Sequence, residues 1–158
     1  MLKRLIAYPI VIFIAISCSN FIKFQGSHKA IDPEMKKYVY DFSKEVKKLH
    51  KVRIGFKDIK LKIGKGSIIG MCTFSVYPLG PEIDIDIKYW KRATPLERRS
   101  LIYHELTHCY CNSLFHTDDI MSNDSCPVSI MYPSAFDEQC LKQYWYEYMV
   151  DLREICND

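Results

Sequence analysis

Met35, Val39, Phe42, Val46 and Leu49 recur at steps of three and four, so the chain from about Asp32 to His50 reads as an amphipathic helix. Asp32-Pro33-Glu34 supplies its start. Aspartate accepts from the first free N–H groups, and proline at the first helical position lacks an N–H that would have no partner there. Beyond this helix the period shifts to two. Ile59, Leu61 and Ile63 alternate with Lys60 and Lys62, the pattern of a half-buried strand. Gly64 to Ser67 turns the chain, Ile68 to Tyr77 forms a second strand, and Leu79-Gly80-Pro81 turns it again. EIDIDIKYW, Glu82 to Trp90, sets Ile83, Ile85 and Ile87 on one face and Glu82, Asp84 and Asp86 on the other, a third strand. Thr94-Pro95-Leu96-Glu97 has a capping-box pattern and opens a helix through Leu101, His104 and Glu105 to about Cys111. A loop rich in Asn, Asp, Ser and Pro follows, and Phe136 to Ile155 closes the chain as a helix containing Tyr and Trp. The order helix, three strands, helix, long loop, helix predicts an α+β fold with a small, mostly antiparallel sheet.

The chain of 158 residues is long enough for one domain with a single modest core. Its first 17 residues do not belong to that core. Lys3 and Arg4 precede a mainly apolar run, Leu5 to Ile16, that is too short to span a bilayer comfortably, so residues 1–17 read as a signal peptide. Ala15-Ile16-Ser17-Cys18 resembles the bacterial lipoprotein box, which implies acylation of Cys18. Residues 18–33 then become a lipidated tether, and 34–158 the domain. That places the protein on a membrane of the bacterial cell envelope. Ser19 after the cysteine, rather than an acidic residue, favours the outer membrane by resemblance to enterobacterial sorting. Without the leader, 20 of the 22 Lys and Arg face 19 Asp and Glu, a balance that makes no case for nucleic acid as a partner.

Export bears on the cysteines. Cys72, Cys109, Cys111, Cys126, Cys140 and Cys156 are an even set in an oxidising compartment, which predicts disulfides. Cys109 and Cys126 bracket a histidine-rich loop, and a bridge between them would staple it.

That loop follows the most informative stretch, His104-Glu105-Leu106-Thr107-His108. Of five histidines in the chain, three lie between positions 104 and 116. Residues four apart share a helix face, so His104 and His108 can reach one ion, with Glu105 beside it as a general base. Neutral imidazoles suit Zn²⁺, and a zinc-bound water, its proton taken by Glu105, can attack a peptide carbonyl. A third ligand is needed. His116 leads, with Asp118, Asp119 and Glu138 as alternatives. Cys111 offers a rival in which His104, His108 and cysteines close a structural zinc site.

Downstream lies Ser129-Ile130-Met131-Tyr132-Pro133. With the H-E-x-x-H helix it resembles the metzincin clan of zinc peptidases, and HELTHC, His116 and CPVSIMYP together resemble small bacterial lipoproteins assigned to the metallopeptidases. The resemblance covers about Glu82 to Pro133. It implies a compact zincin domain in which His104, His108 and His116 hold one Zn²⁺, Glu105 is the base and Met131 underlies the metal in a Met-turn. Tyr132 beside it either packs in the turn or serves as an oxyanion-stabilising phenol. It also implies that an edge strand, here EIDIDIKYW, lies beside the cleft and pairs with a peptide or protein substrate. The chain departs from the clan between its second and third histidines. Seven residues intervene, Cys109 to Phe115, where the clan has five with a turning glycine, and Asn112 is the residue suited to that turn. The expected function is therefore zinc-dependent peptide-bond hydrolysis by an envelope lipoprotein. The other readings are a non-catalytic lipoprotein that uses the fold as a binding module, and a structural zinc or disulfide domain.

Overall fold

The computed structural model describes residues 31–47, 58–62, 68–73, 81–111, 113–121 and 123–157. The signal peptide, Cys18, Ile63, residues 74–80 and Asn112 lie outside the described residues. The protein is α+β, in the order α1 (Lys36–Lys47), β1 (Asp58–Lys62), β2 (Gly70–Thr73), β3 (Glu82–Asp86), α2 (Ile87–Arg92), α3 (Pro95–Tyr110) and α4 (Glu138–Ile155). No helix among the described residues is long and apolar enough to cross a membrane.

α1 begins one turn later than Asp32. The Asp32 carboxylate accepts from the Glu34 N–H at 2.9 Å and its carbonyl from the Met35 N–H at 2.9 Å, a turn that feeds the helix. Met35, Val39, Phe42 and Val46 are buried, as their spacing predicts. Each such side chain contributes about 1.5–3 kcal/mol by leaving water.

Among the described residues the sheet has three strands, in the order β1-β3-β2. β1 runs parallel to β3, and β2 antiparallel to it. The sheet is thus mixed rather than mostly antiparallel, and β3 is its central strand, not an edge. The edge beside α3 belongs to β2. EIDIDIKYW also divides. Ile83 and Ile85 are buried at 1% exposure each, but the strand stops at Asp86, whose carboxylate accepts from the Tyr89 N–H at 2.7 Å and caps α2. Ile87 is therefore helical and only half-buried. Alternation continues one residue past the strand because Asp86 suits both a strand face and an N-cap.

α3 starts as its sequence predicts. The Thr94 hydroxyl accepts from the Glu97 N–H, and the Glu97 carboxylate from the Thr94 N–H at 2.6 Å. Every residue from Ser100 to Thr107 is buried, so α3 is surrounded: it packs on α1, α4 and β2. Arg99 lies over the rings of Tyr103 and Trp145 and joins α3 to α4.

Three disulfides complete the fold: Cys72–Cys109, Cys111–Cys156 and Cys126–Cys140. The expected Cys109–Cys126 bridge does not form. Residues two apart on a helix point about 200° apart. Cys109 therefore meets β2, while Cys111, at the helix cap, meets the end of α4. Cys126 is left to pair with Cys140 in the first turn of α4.

Candidate metal centre

His104 and His108 lie one turn apart on α3, and His116 comes to them from the loop that follows. Their three Nε2 atoms are mutually close: 3.1 Å between His104 and His108, 3.2 Å between His104 and His116, and 3.0 Å between His108 and His116. Among the described residues this is the group of three side chains placed to hold a metal ion. Asp118, Asp119 and Glu138 are not in it. Asp119 accepts from the Thr117 hydroxyl, and Glu138 pairs with Lys142. Cys111 is bonded to Cys156, so the His₂Cys set does not form.

Backbone carbonyls orient two of the rings. His104 Nδ1 donates to the Ile130 carbonyl at 2.8 Å, and His108 Nδ1 donates to the Ser113 carbonyl at 2.5 Å. With the hydrogens on Nδ1, both Nε2 atoms present bare lone pairs to each other. Two acceptors cannot bond to one another, whereas a cation between them satisfies both. Burial acts in the same direction. It depresses His104 to about 4, with His108 and His116 adding to the effect against the Ile130 hydrogen bond. His108 is lowered too, chiefly by burial. Both rings are neutral at pH 7, the form that ligates metal.

Residues 129–132 form a tight turn against the His104 ring, in which the Tyr132 N–H donates to the Ser129 carbonyl at 3.2 Å. Met131 is buried in it at 2% exposure. Asp151 of α4 holds the turn, accepting from the Ser129 hydroxyl at 2.8 Å and the Ile130 N–H at 2.9 Å. The turn in turn holds the loop, for the Thr117 N–H donates to the Met131 carbonyl at 3.1 Å. One set of bonds therefore fixes both the His104 ring and the segment carrying His116. Asp151 has no local sequence signal, because its partners lie more than twenty residues earlier.

Glu105 follows His104 on α3, faces β2 in the same cleft and is 4% exposed. Burial raises its carboxyl to about 8, against the lowering effect of a hydrogen bond from the Cys72 backbone N–H. A divalent cation close by acts oppositely and favours the carboxylate. Gly70 of β2 makes the space for this side chain. A Cβ there would lie 2.9 Å from the Glu105 carboxyl carbon and 2.8 Å from Leu101 Cδ1, besides meeting Glu105 Oε1. The pattern of residues marks Gly70 only as part of a strand and Cys72 only as a disulfide candidate, although a glycine in a strand does signal close approach.

These groups line one cleft of about 670 Å³, bounded by Ile68 to Cys72 of the β2 edge, by α3, and by Tyr132 to Phe136. Tyr132 is half-buried there, its ring edge-on to Phe136 at 6.2 Å. The arrangement offers three imidazole lone pairs, an acid–base carboxyl and a strand edge within one concave space. Compared with protein-family models, curated proteins and solved structures, the chain matches none.

Proposed function

We propose that the protein is a zinc-dependent peptide hydrolase of metzincin-like architecture. We further propose that it is exported by its leader and held through acylated Cys18 at a bacterial envelope membrane. The observation that carries the reading is the convergence of three Nε2 atoms beside a buried glutamate. A tetrahedral Zn²⁺ with bonds of 2.0–2.1 Å needs nitrogens about 3.3 Å apart, and separations of 3.0–3.2 Å fit three of its four positions. When bound, Zn²⁺ polarises a carbonyl and lowers the pKa of water to about 7.

The protein's own groups do the rest. A peptide lies extended along the free edge of β2, backbone to backbone, with its scissile carbonyl at the triad. Glu105 takes a proton from the attacking water and hands it to the departing amine, so the products are a carboxylate and an amine. The Cys72 N–H holds the Glu105 carboxylate in place during this exchange. Tyr132 faces the same cleft, where its phenol can donate to the developing oxyanion. The rival reading as a structural zinc domain loses its cysteine ligands, since the six cysteines from Cys72 to Cys156 are paired.

The test is metal content together with cleavage of an unfolded substrate such as casein. One zinc per chain is expected, with activity lost on chelation and restored by zinc. A protein that takes up zinc and cuts neither casein nor a broad peptide library contradicts the reading. Gly70→Ala gives a sharper check, because its methyl group displaces the Glu105 carboxyl without touching the histidines. A shift of about 1 Å in a catalytic group costs on the order of 100-fold in rate. Zinc content should stay at wild type, and an unchanged rate would remove Gly70 from the account.

A further inference from the structure

The cleft continues past the histidines along α3 toward that helix's start. Leu101, Ser100 and Glu97 line it from the helix, and Tyr89 of α2 and Phe136, before α4, line it as well. Positions 97, 100, 101, 104 and 105 form one stripe of the helix, so the groove runs directly from the triad to the Glu97 carboxylate. Glu97 lies seven positions before His104, about 10 Å of helix. A peptide residue with its backbone beside the triad therefore needs a long side chain to reach that carboxylate.

The walls suit such a side chain. Leu101, Phe136 and Tyr89 are buried and apolar along their length, at 7%, 6% and 7% exposure. The far end is polar, with the Glu97 carboxylate close enough to the Tyr89 hydroxyl to oppose its ionisation. One Glu97 oxygen accepts from the Thr94 N–H, and among the described residues no lysine or arginine forms an ion pair with this carboxylate. Arg92 stands over the Tyr89 ring, 5.6 Å from its centroid, without bridging to Glu97. The helix start carries about half a positive charge, which the full negative charge of Glu97 exceeds.

We propose that this groove is a specificity pocket for a basic side chain, and that the substrates are peptides with lysine or arginine beside the cleaved bond. The methylene stem packs between Leu101 and Phe136, and the cationic head meets Glu97. The proposal rests on the hydrolase reading of the same cleft.

The experiment compares zinc-loaded wild type with Glu97→Gln on quenched peptides that vary only at the residues flanking one bond. Glutamine preserves the capping box, so α3 keeps its start. Wild type should cleave peptides with arginine or lysine at least tenfold faster than those with norleucine, judged by kcat/KM, and Glu97→Gln should bring that ratio to near one. Cleavage without a basic preference, or a preference that survives Glu97→Gln, overturns the pocket and leaves the hydrolase reading standing. If no peptide is cut, calorimetry with arginine hydroxamate and norleucine hydroxamate decides. Tenfold tighter binding of the arginine compound, abolished by Glu97→Gln, upholds the pocket while the hydrolase reading falls. Equal binding of the two overturns both.

Discussion

Glu105→Gln is expected to lower kcat for peptide cleavage by about 10²–10⁴-fold while the protein still binds one zinc ion. The amide has the shape of the carboxyl it replaces, and its oxygen can still accept from the Cys72 N–H. The metal has no need of this side chain, because three imidazoles converge without it. What the amide cannot do is take a proton from water and return it to an amine. The carboxyl's surroundings make it a strong candidate for that work. It is buried at 4% exposure, and in the metal-free cleft burial holds its proton up to about pH 8. The charge of a divalent ion and the desolvation of the site push in opposite directions, which is how a carboxyl is poised near neutrality. Steady-state kinetics with metal analysis on the same preparations checks the prediction. A variant that cuts as fast as wild type would falsify the general-base role. A variant that loses its zinc would show that Glu105 shapes the metal site.

Reduction of the disulfides should unfold the domain at 37 °C. The bridges close sequence separations of 37, 45 and 14 residues. By loop-closure entropy these correspond to about 4, 4 and 3 kcal/mol. Overlapping loops do not add fully, yet the total is comparable with the whole stability of an ordinary domain, about 5–15 kcal/mol. The rest of the described fold offers little in reserve: three short strands, and two long helices, α1 and α4, that lean on α3. Replacing Cys72 and Cys109 together by serine should lower the melting temperature by about 10–20 °C. Circular dichroism melts of oxidised, reduced and doubly substituted protein measure both effects. A reduced protein that melts cooperatively near the oxidised temperature would show that packing alone sustains the fold.

Both effects turn on features that differ in how far the sequence reveals them. The start of α3 is legible because Thr94, Pro95 and Glu97 act on neighbours within one turn. The same holds for the shared face of His104 and His108, and for the apolar stripe of α1. His116 is legible as a candidate, since few residues nearby could serve. Its placement at the other two imidazoles goes with the Thr117–Met131 hydrogen bond, a contact between residues fourteen apart. Strand order, cysteine pairing and the grip of Asp151 on the turn are fixed by packing between distant segments, which a periodic pattern does not encode. The misreading of Glu82 to Trp90 has a different origin. Asp86 satisfies two local rules at once, and the capping of α2 prevails because the Tyr89 N–H takes up its carboxylate.

The pairing of Cys109 and Cys111 has a consequence for how the protein must be assembled. These residues lie one and three positions after His108, and as thiolates they would be zinc ligands at least as strong as imidazole. A reduced chain that met the ion first would offer a mixed thiolate–imidazole cage with no open coordination position. The closed bridges take both sulfurs away, to β2 and to the end of α4, and leave the ion only nitrogen donors. If the proposed metal is bound, the order of maturation follows: oxidation first, metal second. Under the proposed hydrolase reading, zinc supplied too early would hinder folding rather than complete the site.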